Sequence, residues 1–189
     1  MKTLIFEGIA TSGKSTITSQ LVQSLQGEMT VELATEEQTH IPIMSQRNEL
    51  NTLFFEDLIN QLTLKHPDLL IFDRLYITQA YRAKTNLSEY ASTEKALIPY
   101  SPHTIILKVD EAVIAERVKA ASEHREKEWL EYLKTKGGSF DEIANDYIEQ
   151  QRGLLELVKQ STIPYSIFDT TLHEYGSITE EILKIIRGI

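Results

Sequence analysis

The stretch Gly8-Ile9-Ala10-Thr11-Ser12-Gly13-Lys14-Ser15-Thr16 follows the apolar run Leu4-Ile5-Phe6 and leads into a helix-like segment. It fits G-x-x-x-x-G-K-[ST], a pattern that arises by chance in only about 1% of chains this long at average residue usage. A phosphate chain needs several backbone N–H donors, a helix N-terminus, one long cation and a hydroxyl for Mg²⁺. This spacing supplies all four. The glycines let the backbone wrap closely around an anion and take φ > 0 where a side chain would clash. Gly8, Thr11, Ser12, Gly13, Lys14, Ser15 and Thr16 are therefore the first candidate ligand-binding residues, with Ser15 the candidate metal ligand.

Outward from this loop, strand-like and helix-like segments alternate. Residues 3–6, 30–34, 69–72, 104–109 and 165–168 read as strands, the first buried, short and apolar and the third apolar. Residues 14–25 place Ile17, Leu21, Val22 and Leu25 on one helical face, closed by Gly27. Further helical patterns cover 43–64, 77–98 in pieces, and 111–121, while residues 35–40 read as a polar loop. Ser139-x-x-Glu142 predicts a capping box opening a helix to about 159, and Ser177-x-x-Glu180 predicts the start of a last one. This alternation predicts an α/β fold: a mostly parallel five-stranded sheet covered on both faces, with 1–189 forming one domain.

Composition narrows the function. The chain has 189 residues, 41% hydrophobic and 25% charged, which suits a globular domain with a well-buried core. It contains no cysteine, so disulfides, a thiolate nucleophile and cysteine-ligated metals are excluded. No apolar run approaches the ~20 residues needed to cross a bilayer. The first strand leaves no room for a signal peptide, so a cytoplasmic location is expected. The formal charge of −9 argues against a nucleic-acid polymer as partner, but leaves room for a basic pocket around one small anion.

In an open parallel sheet, ligands gather beyond the carboxyl ends of the strands. The residues there are Glu36 and Glu37 after the second strand, Asp73 and Arg74 after the third, Asp110 after the fourth and Asp169-Thr170-Thr171 after the fifth. Asp73 suits either Mg²⁺ beside Ser15 or an N-cap. Arg74 suits a bidentate phosphate clamp or a surface ion pair. Glu36 or Glu37 suits a general base, or equally a solvated loop, and Asp110 reads as a helix cap. The loop itself brings only Lys14 as a charge, so a further cation for phosphoryl transfer must come from elsewhere. Arg117, Lys119, Arg125 and Lys127 supply candidates, in a mobile lid or on a solvated helix. The five histidines, at 40, 66, 103, 124 and 173, show no metal-ligand spacing and read as surface or loop residues. Trp129, Tyr132 and Leu133 read as one packed helix face.

The segments FEGIATSGKST (6–16), FDRLYITQAY (72–81), TIILKVDEAVIAERV (104–118) and, more loosely, FDEIANDY (140–147) occur in an order that resembles the thymidylate kinase group of P-loop nucleotide and nucleoside kinases. The resemblance implies ATP as phosphoryl donor, Mg²⁺, a five-stranded parallel sheet and a lid at about 119–138. It implies that Lys14 and Ser15 meet phosphates and metal, and that Asp73 and Arg74 face metal and acceptor. It further implies Arg117 near the adenine, Arg125 as the lid's catalytic cation, and Asp169 and Thr170 bordering the base. Where thymidylate kinases carry Arg-Glu-Pro, this chain has Thr35-Glu36-Glu37-Gln38. Phe55-Glu56-Asp57-Leu58 stands where they have an arginine for the acceptor phosphate, and Arg82 where they have a thymine-reading glutamine. A carboxylate after the second strand is the nucleoside-kinase pattern, so both acceptors stay open, as does a homodimer. The expectation is an ATP-dependent kinase acting on a small acceptor, most readily a nucleoside or nucleoside monophosphate. Rival readings are a kinase for another alcohol (a sugar, antibiotic or cofactor precursor) and a non-catalytic nucleotide-binding protein. A GTP-binding switch is disfavoured, because neither N-K-x-D nor D-x-x-G occurs.

Overall fold

The computed structural model describes residues 1–43, 48–123, 131 and 137–188. Five parallel strands form one sheet: β1 (Lys2–Gly8), β2 (Val31–Ala34), β3 (Leu69–Asp73), β4 (Pro102–Lys108) and β5 (Tyr165–Asp169). Their spatial order is β2-β3-β1-β4-β5. The described α-helices are α1 (Lys14–Ser24), α2 (Glu36–Thr39), α3 (Asn48–Thr63), α4 (Tyr76–Ala83), α5 (Ala91–Leu97), α6 (Ile114–Ser122), α7 (Phe140–Val158) and α8 (Tyr175–Arg187).

The central strands are continuously apolar because both faces are covered. On one face Ile5, Leu70, Phe72 and Ile106 pack with Phe55, Ile59, Tyr76 and Leu154. On the other, Leu4, Phe6, Ile71, Ile105 and Leu107 pack with Ile17, Leu21, Ile182 and Ile186. A third cluster of Ile9, Val109, Ile114, Val118, Ile143 and Tyr147 joins α6 to α7 and carries one wall of the site described below. Successive strand residues alternate between faces, so each strand feeds both layers.

Several local expectations need correction. Residues 35–40 are not an open loop: Thr35 opens α2 as a capping box, with Gln38 Oε1 accepting from the Thr35 N–H at 3.1 Å. Residues 41–43 form a 3-10 turn rather than the first turn of the next helix, which is described over Asn48–Thr63. Ser177 does not cap the last helix. Tyr175 already begins α8, and the Ser177 hydroxyl donates to Glu174 O inside its first turn. The turn before it, where the His173 N–H reaches Thr170 O, sets that earlier start. Ser139 and Asp110 cap as the pattern predicts, their side chains accepting from the Glu142 and Ala112 N–H groups.

Candidate active site

β1 delivers the glycine loop to the carboxyl edge of the sheet, at the point where the chain order reverses between β3 and β4. Gly8 has φ +148°, and a Cβ there would sit 2.6 Å from Leu107 O on the neighbouring strand. Gly13 has φ +90°, and a Cβ on it would overlap the Tyr175 ring. α1 then starts at Lys14 with no side-chain cap, so its first N–H groups are left for a ligand. The Lys14 ammonium is buried and donates to Gly8 O and Ile9 O, each at 3.1 Å. Burial, then the charge of Arg74, lowers its pKa to about 8 against the opposing pull of Asp73, Glu36 and Glu7. Gly13→Ala is expected to lower stability by about 1–3 kcal/mol through backbone strain alone. Thermal unfolding of the nucleotide-free variant measures this, and an unchanged midpoint would show that alanine takes the left-handed backbone at 13 without cost.

Parallel register brings the second part of the site beside the first. Phe6 of β1 pairs with Asp73 of β3, and the Arg74 N–H donates to Phe6 O at 2.9 Å. Arg74 has φ +64°, a conformation that costs a non-glycine residue energy and tends to mark a functional turn. It is no surface arginine: it is 4% exposed. Its Nη1 donates to Thr78 Oγ1 at 3.3 Å, and its Nε lies 3.2 Å from Glu36 Oε1 as an ion pair without hydrogen-bond geometry. Asp73 is not the cap of α4, because Glu7 does that work. The fully buried Glu7 carboxyl accepts from the Leu75 and Thr78 N–H groups and the Thr78 hydroxyl. Burial raises the Glu7 pKa, outweighing those hydrogen bonds and Arg74. One Asp73 oxygen, Oδ1, is left buried without a hydrogen-bond partner.

Glu36, at the start of α2, carries the acceptor side. Its Oε1 lies 3.2 Å from both Arg74 Nε and Arg82 Nη2. Burial alone would raise its pKa, but Arg74, then Lys14 and Arg82, hold the carboxyl down at about 2. His40, expected at the surface, is 0% exposed: the helical turn of α2 tucks it inward. The Arg117 guanidinium ties the loop to the far strand by donating to Thr11 O at 3.1 Å, Thr171 O at 3.1 Å and Thr170 O. Asp169 turns away to Lys108 at 3.1 Å and to the Thr171 N–H, while Thr170 is buried.

These elements enclose one cavity of about 790 Å³. Thr11, Gly13, Lys14, Ser15, Thr16, Glu36, Glu37, Asp73, Arg74, Arg82 and Arg117 line it together. Of the other expected residues, Asp169 and Thr170 are not on its wall, whereas Thr171 is; Gly8 and Ser12 shape the loop from behind. Arg125, with Lys127, His124, Trp129, Tyr132 and Leu133, lies outside the described residues. Residues that sequence reasoning passed over are His40, Glu7, Tyr147, Gln150 and Tyr175. Glu7 had one signal, a lone acid inside an apolar strand.

The residues present fit a nucleotide phosphate chain with its metal. The Thr11, Ser12 and Asp73 side chains each hold a buried oxygen without a hydrogen-bond partner around the loop. No cluster of three or more His, Cys, Asp or Glu suited to a metal occurs among the described residues. Mg²⁺ is usually held by one or two protein oxygens together with phosphates and water, and the unpartnered Asp73 Oδ1 is an oxygen of that kind.

Strand order, loop and cavity together define a P-loop kinase fold of the thymidylate kinase type. The comparisons agree on the fold. The YorR protein of Bacillus subtilis, solved in complex with phosphorylated GDP, superposes with a TM-score of 0.72 at 16% identity, over 98% of this chain and 96% of that one. Thymidylate kinase from Candida albicans superposes with a TM-score of 0.51 at 17% identity, over 99% and 91%. No family model matches the sequence, and no curated protein does either. No helix among the described residues is long and apolar enough to cross a membrane.

Proposed function

We propose that this protein is an ATP-dependent kinase that transfers the γ-phosphoryl group of MgATP to a nucleoside or nucleoside monophosphate. The observation that carries this is the gathering of the loop lysine, Asp73-Arg74 and Glu36 around one cavity, from three neighbouring strand ends. Lys14 and the loop N–H groups hold the β- and γ-phosphates, and Ser15 and Asp73 hold the metal. Bound there, the metal neutralises charge on the transferring group. Arg74, fixed through Thr78 and Glu7, faces the reacting centre from the acceptor side. Arg117 holds the rim of the donor site, next to Thr171. Arg125 is assigned the cation that completes the transfer, in a lid at about 119–138.

Glu36 orients the acceptor hydroxyl and receives its proton late, as the new phosphorus–oxygen bond makes that proton acidic. A carboxyl held at about 2 is ionised throughout the working range, so Glu36 contributes no acidic limb between pH 5 and 7. It is also a weak base. Glu36→Gln is therefore expected to lower kcat by about 100-fold, the low end for a positioned base, with the ATP Kd changed less than threefold. A kcat within threefold of the parent, measured by steady-state kinetics, would remove Glu36 from the reaction. The reading as a whole is tested by incubating the protein with MgATP and a panel of nucleosides, nucleotides and sugars, read by mass spectrometry. Phosphate gained by a nucleoside or its monophosphate is the expected result, and no phosphorylated product in the panel overturns the proposal.

A further inference from the structure

We propose that His40, a residue of the cavity wall, selects the acceptor: its buried Nε2, which has no hydrogen-bond partner, takes an O–H or N–H of the acceptor molecule, about one helical turn from the hydroxyl held by Glu36. This rests on the kinase reading above. The backbone sets the spacing. The His40 N–H donates to Glu36 O at 2.9 Å, so the two residues stand four apart on one turn, with Cβ atoms about 5–6 Å apart. Both line the cavity.

The tautomer follows from a proton count. A threonine hydroxyl has one proton, and Thr39 Oγ1 spends it on Asp73 O at 2.9 Å. His40 Nδ1 lies 3.3 Å from the same oxygen, so Nδ1 carries the hydrogen and Nε2 carries the lone pair. His40 is 0% exposed, and Nε2 is buried without a hydrogen-bond partner. The ring stays neutral: burial, then the charges of Arg82, Arg74 and Lys14, outweigh the single opposing carboxylate of Glu36. Arg74, Arg82 and Lys14 offer donors only, while Glu36, shared by two guanidiniums, holds the hydroxyl that is phosphorylated. Nε2 is left as an acceptor for a second O–H or N–H of the same ligand. Two parts of a nucleoside carry such a group, the sugar hydroxyl and the base.

The test uses the natural 2′-deoxynucleosides and their 5′-monophosphates with MgATP. It then takes two analogues of the best acceptor, one without the 3′-hydroxyl and one with the base N–H methylated. His40→Phe is expected to raise the acceptor KM by roughly 10- to 100-fold, the usual effect of one lost buried hydrogen bond, with kcat and the ATP KM within threefold. His40→Gln, which returns an oxygen acceptor at similar reach, recovers most of that loss. One analogue loses affinity for the parent protein but not for the Phe variant, and so names the donor group. Equal behaviour of Phe and Gln, or an unchanged acceptor KM, overturns the inference, with ATP binding and the melting midpoint confirming that each variant folds. Nitrogen NMR of the histidine rings gives a readout that needs no turnover. A proton on Nε2 in the free protein, or an Nε2 resonance unmoved by saturating acceptor, overturns the inference while leaving the kinase reading intact. If no member of the panel is phosphorylated but the best-bound one shifts Nε2, the kinase reading falls and the subsite stands. If none binds, both fall.

Discussion

Replacing Lys14 with methionine is expected to lower phosphoryl transfer by roughly 10³-fold and yet to raise the stability of the nucleotide-free protein. The loss of activity follows from removing the one cation of the loop. The gain follows from linkage. Burial lowers the Lys14 pKa from 10.5 to about 8, so the folded protein gives up this proton before the unfolded chain does. Between those two values the unfolded chain binds more protons, and stability rises with pH. Below about pH 8 the folded state carries the full cost of the buried charge, about 3 kcal/mol for that interval. Methionine keeps the apolar stem and omits the charge. Calorimetry at pH 7 should show a melting midpoint higher by up to about 6–12 °C, at roughly 2–4 °C per kcal/mol for a chain of this size. A lower midpoint would mean that the bonds to Gly8 O and Ile9 O outweigh desolvation. The parent's kcat/KM for ATP should correspondingly decline above about pH 8, as the free protein loses the Lys14 proton.

The features legible in the sequence are those whose physics is local. The apolar strand runs, the glycines of the loop and the Ser139 cap act within a few residues, and β1, α1 and α7 lie where their patterns place them. The rule for parallel sheets takes Glu36, Glu37, Asp73 and Arg74 to the cavity, but not Asp110, Asp169 or Thr170, which follow the fourth and fifth strands. Tertiary contacts decided the rest. Thr35 to His40 reads as polar loop until Gln38 is seen closing a cap on Thr35. Only that turn puts His40 inside and Glu36 between two arginines. Nothing adjacent to Arg74 in sequence announces its burial. That depends on Glu7, sixty-eight positions before Leu75, holding the start of α4. Ser177 carried a valid capping pattern but lost to the turn at 170–175.

The charges around the cavity are arranged in pairs rather than as a simple basic pocket. Arg74 and Arg82 share Glu36, Lys108 takes Asp169, and Arg117 is spent on three backbone carbonyls. This pairing suits a hydroxyl acceptor held by Glu36 better than a dianionic phosphate, which would have to compete with that carboxylate for both guanidiniums. Expected turnover numbers for a nucleoside therefore exceed those for its monophosphate, a comparison that the same mass-spectrometric panel makes directly.

The same pairing bears on the transferring phosphoryl group, whose charge in the transition state is spread over three equatorial oxygens. Lys14 sits on loop carbonyls, and each of the arginines at 74, 82 and 117 is already bonded or ion-paired. Among the described residues lining the cavity, then, every lysine and arginine has a prior commitment. The last turn of α6, through Ala120 and Ala121, runs along the cavity wall and leads into the segment that contains Arg125. Arg125→Ala is accordingly expected to lower the single-turnover rate by about 10³- to 10⁵-fold, the contribution of an arginine that meets a transferring phosphoryl group. The ATP Kd should stay within threefold, because binding in the ground state rests on the loop N–H groups and Lys14. Rapid quench gives the rate and calorimetric titration gives the affinity. An unchanged rate would transfer the role to one of the paired arginines, and Arg74→Ala would then show the large loss in its place.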